Sequence, residues 1–138
     1  GIYESRLYDG IEDALHAIKS SGKTLYVATS KPEVMAIPIL ERYGLPGVFD
    51  AVFGARHEEG IFDKTQVLEY AMRRLGGTPP GSVMVGDRSH DILGGRAVGI
   101  DTVGVLYGYG DREELMGCGP DYLVDTTADL AALLGGTA

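Results

Sequence analysis

Cysteine and long apolar runs are scarce in this sequence. Cys118 is the only cysteine among the 138 residues, so no disulfide can form within the chain. A reducing, cytoplasmic setting is therefore the simplest expectation. No apolar run approaches the roughly 20 residues that a membrane-spanning helix needs, and the first residues lack the basic-then-apolar pattern of a secretion signal. These absences argue against a membrane protein and against a disulfide-stabilised miniature.

Positive charge is also in short supply. The chain has 12 Lys and Arg against 20 Asp and Glu, which gives a formal net charge of −8 at pH 7. It contains no cluster of basic residues that would neutralise a row of phosphates. We therefore expect neither nucleic acid nor an anionic membrane surface as a partner. An acidic protein can still bind a single phosphate group locally.

What the sequence does contain is a regular alternation of short apolar runs and helical patterns. Its length fits one domain over residues 1–138, and 44% hydrophobic residues are typical of a globular protein. Short runs that are partly β-branched predict buried parallel strands at 25–28, 51–53, 83–85 and 102–106. Apolar residues at helical spacing predict helices at 11–18, 34–40, 67–75 and 128–134. The second of these helices is expected to face the core with Val34, Ile37 and Leu40. This order predicts an α/β fold with a doubly wound, mainly parallel sheet.

The residues that follow each strand are where a ligand should bind in such a sheet. After the first predicted strand, the segment from Thr29 to Glu33 has two interpretations. Ser30 and Glu33 have capping-box spacing and Pro32 suits a first helical turn, so the segment can be a helix start alone. Alternatively, the hydroxyl of Thr29 and the N–H groups of the helix N-terminus bind a phosphate. Both interpretations stay open here.

Lys64 stands at an unusual place in its predicted helix. The helix opens with Asp63-Lys64-Thr65, and a lysine in the first turn opposes the helix dipole, which favours acidic residues there. Lys64 is either a solvated lysine or a cation that points into an anionic site. In the second case it would balance the charge of phosphate and carboxylate groups.

Two aspartates follow the third predicted strand. Asp87 comes at its carboxyl end, and Asp91 follows four residues later at the start of the next helix. Both carboxylates can converge on one point, and two carboxylates completed by water and phosphate oxygens suit Mg²⁺, whereas a Ca²⁺ site would need more ligands. The alternative is that Asp91 is a helix N-cap and Asp87 a turn residue.

A glycine-punctuated loop follows the fourth predicted strand. The loop 107–110 leads into a short helix at which Asp111 and Glu114 have the spacing of a capping pair. We expect this loop to rim the site. Its two tyrosines are expected to serve packing rather than chemistry.

These segments resemble the motifs of the haloacid dehalogenase superfamily and, within it, the phosphoglycolate phosphatase-like branch. The segment 29–31 looks like the second motif of the family and Lys64 looks like the third. The segment 86–91, Gly-Asp-Arg-Ser-His-Asp, looks like the fourth and is the most specific of the three. The resemblance covers nearly the whole chain and implies a Rossmann-like core.

The resemblance also implies a role for each candidate residue. Thr29 and Ser30 would bind the phosphoryl group of a small phosphorylated substrate, and Lys64 would neutralise that group and the nucleophile. Asp87 and Asp91 would hold Mg²⁺ as the cofactor. Thr29 and Lys64 would then be the catalytic residues that this chain supplies. The reaction of the family passes through an aspartyl-phosphate that water hydrolyses.

One motif of the family has no counterpart here. The first motif, Asp-x-Asp-Gly-Thr after an initial strand, supplies the nucleophile. The segment Tyr8-Asp9-Gly10 does not match it, because Leu7 stands where the first Asp is needed. We expect that the parent protein carried an upstream strand and a helical cap, both absent from this chain. In the family that strand lies mid-sheet, so its loss would leave two half-sheets with open inner edges, which favour association with the missing part or with another copy.

The sequence thus predicts a Mg²⁺-dependent phosphomonoester hydrolase for a small metabolite such as phosphoglycolate or a nucleoside monophosphate. This chain alone is expected to be inactive. An alternative from a different class is a non-catalytic module that binds phosphate and metal without turnover. A third alternative is a receiver-like domain phosphorylated on Asp87, which would need an acidic pair near the start of the chain.

Overall fold

The computed structural model describes residues 10–42 and 47–135. Within these ranges the strands are β1 (Tyr26–Pro32), β2 (Ala51–Ala55), β3 (Val83–Gly86), β4 (Asp101–Val105) and β5 (Tyr122–Val124). The α-helices are α1 (Ile11–Ser20), α2 (Glu33–Arg42), α3 (Lys64–Arg74), α4 (Ser89–Ala97), α5 (Arg112–Met116) and α6 (Thr127–Leu134). A turn of 3₁₀ helix at His57–Glu59 follows β2. A search of the described helices finds none with the length and apolar character needed to cross a membrane.

The strands form two parallel half-sheets. β1 pairs with β2, and β4 lies between β3 and β5. Within each half-sheet, a helix connects successive strands. The predicted α/β fold with parallel strands is thereby confirmed. Among the described residues, β1 and β3 each have a neighbouring strand on one side only, so the two half-sheets expected from the sequence are present.

Helix α1 packs against both half-sheets. Ile11 is buried in a cluster with Val27 of β1, and Ile18 is buried in a second cluster with Val103 of β4. Tyr107, which follows β4, is partly buried against both clusters. Because these contacts remove apolar surface from water on both sides, they hold the two half-sheets against one helix.

Helix α3 begins where the sequence predicts, because Asp63 caps it. The Oδ1 atom of Asp63 accepts the N–H of Gln66 at 2.8 Å, and the Oε1 atom of Gln66 accepts the N–H of Asp63 at 3.1 Å. This reciprocal capping box satisfies N–H groups that a first turn would otherwise leave unpaired. It fixes Lys64 as the first helical residue, and the helix then buries Val67 and Ala71.

The helix start predicted at Ser30 is wrong. Strand β1 continues to Pro32 and α2 begins at Glu33, so Ser30 does not cap the helix. The carboxylate of Glu33 accepts the N–H of Gly54 at 3.2 Å and binds the guanidinium of Arg56 at 2.7 Å. The Glu33 side chain, which the local spacing assigned to a helix cap, thus binds Gly54 in β2 and Arg56 just after it.

Two other elements differ from the prediction. Val34 and Ile37 of α2 are not core residues, because they are 78% and 45% exposed. Leu40 is buried as predicted, and the helix also buries Ala36. Strand β5 was not predicted, since a run of three residues is shorter than the runs on which periodicity gives a signal.

Candidate active site

Lys64 connects the two half-sheets. Its ammonium group donates to the carbonyl oxygen of Ala28 in β1 at 2.9 Å and lies 2.6 Å from Oδ1 of Asp91 in α4. Both charged side chains of this ion pair are only 7% exposed. The interpretation of Lys64 as a solvated lysine is therefore wrong. Its unfavourable position at a helix N-terminus is compensated by the buried carboxylate.

Asp91 is the third residue of α4 and is 5% exposed. Besides its contact with Lys64, its Oδ2 atom accepts the N–H of Arg88 at 3.2 Å. The N-cap of the helix is Arg88, so the alternative of Asp91 as N-cap is wrong. The Asp91 side chain lies directly against Gly86, where an added Cβ would come within 2.1 Å of the Asp91 Cβ. Asp91 therefore packs on the residue that immediately precedes Asp87.

Asp87 directly follows β3 and is bound by the loop 107–110. Its Oδ2 atom accepts the N–H of Tyr109 at 3.1 Å, and its carbonyl oxygen accepts the N–H of Gly110 at 2.8 Å. A Cβ on Gly108 would lie 2.3 Å from the Asp87 Cβ, so the loop backbone touches the aspartate. The loop expected to rim the site thus lies against Asp87, which is 4% exposed.

The two tyrosines of the loop differ in burial. Burial raises the pKa of Asp87, whereas the hydrogen bond that its carboxylate accepts from the N–H of Tyr109 lowers it. Burial and, secondarily, the nearby Asp87 charge raise the pKa of Tyr107 to about 12. Tyr107 packs in the core as predicted. Tyr109 does not, because it is 62% exposed.

Thr29 directly follows Ala28, whose carbonyl oxygen accepts a hydrogen bond from Lys64. It is 3% exposed, and its Oγ1 atom accepts the N–H of Lys31 at 3.1 Å. The carbonyl that Lys64 binds belongs to Ala28, whose carbonyl carbon is bonded to the Thr29 nitrogen. The Thr29 backbone is therefore directly bonded to the peptide group that the Lys64 ammonium binds. Ser30 next to it is exposed.

Glu114 contacts the site in a way that the sequence did not indicate. Asp111 caps α5 by accepting the N–H of Glu114 at 2.8 Å, as predicted. The Glu114 carboxylate, however, reaches α4, where its Oε2 atom accepts the N–H of Ser89 at 2.8 Å and the Nε–H of Arg88 at 3.0 Å. The bond from Ser89 and then that from Arg88 lower the pKa of Glu114. The sequence did not reveal this contact, because the capping spacing to Asp111 already accounted for a Glu at position 114.

The acidic side chains present fit one kind of metal site. Asp87 and Asp91 are both buried, and the Asp91 side chain lies against Gly86, the residue that precedes Asp87. In the part of the chain that the structure describes, no three or more His, Cys, Asp or Glu side chains are grouped so as to hold an ion. Zn²⁺ and Ca²⁺ sites usually take more protein ligands than two. Mg²⁺ is commonly bound by one or two carboxylates with water and phosphate, and this donor set fits it.

Known protein sequences match most of the length of this chain. The family model described as haloacid dehalogenase-like hydrolase matches residues 3–105. A 5'-nucleotidase of Pseudomonas aeruginosa is 38% identical over 133 residues, covering 96% of this chain and 59% of the relative. A phosphoglycolate phosphatase of Colwellia psychrerythraea is 35% identical over 130 residues, covering 92% and 56%. Tyrosine-protein kinase PtkA of Mycobacterium tuberculosis is 44% identical over 104 residues, covering 75% and 36%.

A solved structure shares the fold described above. The crystal structure of a predicted phosphatase from Clostridium acetobutylicum matches with a TM-score of 0.88 and 37% sequence identity, covering 94% of this chain and 60% of that chain. The chain thus spans somewhat more than half the length of its nucleotidase and phosphatase relatives. The resemblance expected from the motifs is confirmed by both kinds of comparison.

Proposed function

The chain belongs to the haloacid dehalogenase-like hydrolase family, and we propose that it supplies the phosphate-binding and metal-binding part of a phosphatase site for small phosphorylated metabolites. The observation that carries this proposal is the buried Lys64 ammonium, which lies between the Ala28 carbonyl and the Asp91 carboxylate. It joins the strand segment next to Thr29 to Asp91, which packs on the residue that precedes Asp87. A fixed cation between a hydroxyl donor and metal-binding carboxylates suits the charge of a transferring phosphoryl group.

In this proposal Asp87 and Asp91 hold Mg²⁺. Asp91 already has one oxygen on Lys64 and the other on the N–H of Arg88, so its orientation is set before a metal binds. Each carboxylate oxygen has more than one lone pair, and such a contact does not prevent coordination. When bound, the ion would supply positive charge that stabilises the developing charge on the phosphoryl oxygens.

Thr29, Ser30 and Lys64 bind the phosphoryl group in this proposal. The Thr29 hydroxyl accepts from Lys31 and has its own proton to donate to a phosphate oxygen. Lys64 reduces the repulsion between the phosphate and the carboxylates, because its ammonium is already placed 2.6 Å from Asp91. Ser30 is the next residue of β1 and is exposed, so it can reach a substrate from the solvent side.

The covalent chemistry needs a carboxylate that we place on a further strand between β1 and β3. That carboxylate oxygen would attack phosphorus while the bond from phosphorus to the substrate oxygen breaks, and the departing alcohol takes up a proton. Water would then attack the phosphorus of the acyl phosphate and lose a proton, which releases inorganic phosphate and restores the carboxylate. The open inner edges of β1 and β3 support this placement. The Asp9 segment considered in the sequence lies outside the described residues.

Hydrolysis of p-nitrophenyl phosphate tests the proposal. We expect the 138-residue chain alone to be inactive, and we expect Mg²⁺-dependent turnover when an N-terminal segment with an apolar strand ending in Asp-x-Asp is supplied. Asp87→Asn should lower that turnover by about 100-fold or more. Asp101→Asn, at the exposed amino end of β4, is the matched control and should change it little.

Two outcomes would contradict parts of the proposal. Turnover by the chain alone that Asp87→Asn removes would mean that the chain holds its own nucleophile. Binding of Mg²⁺ and phosphate without turnover, even after complementation, would favour the non-catalytic module instead.

With an active preparation, phosphoglycolate and nucleoside monophosphates are the first substrates to compare, since relatives are named for these two classes. A tyrosine-phosphorylated peptide belongs in the same panel because of the PtkA relative.

A further inference from the structure

We propose that Glu114 is a positioning residue for the metal-binding turn 87–91, acting through the backbone of Ser89 and the guanidinium of Arg88. The inference rests on the proposed function, since it concerns the orientation of Asp87 and Asp91 as metal ligands. Glu114 itself touches neither aspartate in the contacts described above.

The turn between the two aspartates contains the atoms that Glu114 binds. One oxygen of Glu114 accepts the Ser89 N–H at 2.8 Å and the Arg88 Nε–H at 3.0 Å. Ser89 is the first residue of α4, and its N–H is one of the groups that a helix start leaves without an intrahelical partner. A negatively charged acceptor at this place is favourable for the helix. The contact therefore sets where α4 begins and, with it, where Asp91 stands.

Glu114 acts from a fixed base. Asp111 caps its helix at 2.8 Å, and the neighbouring side chain of Leu115 is fully buried. The loop that precedes the helix is bound to the other aspartate, because Gly110 donates to the carbonyl oxygen of Asp87 at 2.8 Å. The segment 108–114 thus contacts the metal-binding turn at its first residue and again in its middle.

Arg88 gives Glu114 a second effect on metal binding. Arg88 lies between Asp87 and Ser89 in the sequence. Its positively charged guanidinium is attracted by Asp87 and Asp91 as well as by Glu114. In the structure the Arg88 guanidinium is paired with Glu114 at 3.0 Å. Without Glu114, Arg88 would be free to pair with the carboxylates of Asp87 and Asp91 and compete with a metal cation.

Binding of Mn²⁺ to the 138-residue chain, followed by the EPR signal of the free ion, tests the inference. Mn²⁺ is a suitable probe because carboxylate sites accept it in place of Mg²⁺. We expect Glu114→Ala to weaken Mn²⁺ binding by about tenfold, as is typical for outer-shell groups. Glu113→Ala, the exposed acidic neighbour on the same helix, should stay within about twofold of the unchanged chain.

A second pair of variants removes the donor instead of the acceptor. Ser89→Pro deletes the N–H that Glu114 accepts, and proline is tolerated at the first position of a helix. The preceding Arg88 has φ −133° and ψ 161°, a conformation that a following proline allows. Ser89→Ala keeps the N–H and is the reference. We expect Mn²⁺ binding at least about threefold weaker in Ser89→Pro than in Ser89→Ala, and this pair decides the question if Glu114→Ala does not fold.

The outcomes separate this inference from the proposed function. Loss of Mn²⁺ binding in Asp87→Asn together with unchanged binding in both Glu114→Ala and Ser89→Pro would overturn the role of Glu114 and leave the metal site standing. An equal loss in Glu113→Ala would also overturn it, because general charge would then explain the effect. Unchanged Mn²⁺ binding in Asp87→Asn would overturn the metal site itself and the inference with it. Thermal melting without metal shows whether each variant is folded.

Discussion

The two half-sheets fix their candidate site residues in different ways. After β3, Asp87 and Asp91 are bound by a loop, by a helix start and by the carboxylate of Glu114 through the turn between them. After Ala28 in β1, the described contact of the Thr29 side chain is local, the N–H of Lys31 two residues away. The acidic half of the site is thus fixed by segments distant in sequence, whereas the hydroxyl half is fixed mainly by its own strand.

The difference shows why Lys64 matters to the whole arrangement. It is a buried polar link between the two halves, with one contact on the Ala28 carbonyl and the other on Asp91. The apolar links through α1 and Tyr107 hold the half-sheets together but carry no directional information about the site. Lys64 does, because a hydrogen bond and an ion pair both require a particular geometry.

The largest effect is expected from Lys64→Met, which breaks this link while keeping most of the side-chain volume. Asp91 would keep its charge in a buried place without its cation, so the free energy of unfolding should fall by about 3 to 5 kcal/mol. Urea denaturation followed by circular dichroism at pH 7 measures it. Asp91→Asn added to Lys64→Met should restore part of the loss, because the unpaired charge is then removed.

The exposed ion pair of Arg112 and Asp125 is the control for this prediction. Its side chains are 63% and 67% exposed, and Arg112→Ala should cost less than about 1 kcal/mol. If Lys64→Met cost no more than Arg112→Ala, the buried pair would not be the link between the halves that the geometry indicates.

A smaller effect is expected from Gly86→Ala, which disturbs the acidic half alone. An added Cβ would lie 2.1 Å from the Cβ of Asp91 and 2.4 Å from its Cγ, so Asp91 or α4 must shift. Overpacking of this kind should lower the free energy of unfolding by about 1 to 3 kcal/mol. Gly47→Ala in the other half meets no atom of the described residues within 4 Å and should be nearly neutral in the same urea titration. Equal costs at both positions would remove the contrast between the halves.

The sequence predicts the elements and site residues whose signals are local. The apolar runs before Thr29 and Asp87 are long enough to be read as strands, and Asp63 marks the start of α3. The open inner edges were also predictable, because the resemblance says which strand is missing between β1 and β3. These predictions succeed because each depends on neighbours in sequence or on a recognised motif.

The predictions that fail depend on partners far away in the chain. Glu33 has the right spacing to cap a helix at Ser30, but Gly54 and Arg56 bind its carboxylate instead. Glu114 does pair with Asp111 as predicted, through its N–H, but its carboxylate binds a residue 25 positions earlier, which the local spacing does not indicate. Capping spacing in the sequence does not reveal whether the same side chain has a stronger hydrogen-bond partner elsewhere in the tertiary structure.

The smallest effect concerns Tyr107, which packs against both apolar clusters. Its pKa rises from the ordinary value of 10.0 to about 12 because it is buried and close to Asp87. Below pH 10 the folded and unfolded states both hold the proton. Between about pH 10 and 12 the unfolded state releases it first, so the stability present below pH 10 is lost as the pH rises through the folded value.

Tyr107→Phe removes this titration and isolates it from the other tyrosines. Urea denaturation from pH 8 to 11 should show the unchanged chain losing stability more steeply above pH 10, by at most about 1.4 kcal/mol per pH unit, the value for one proton. Below pH 9 the two curves should run parallel. If they also ran parallel above pH 10, the phenol would not be buried between the half-sheets beside an ionised Asp87. The junction would then depend on Lys64 and α1 without Tyr107.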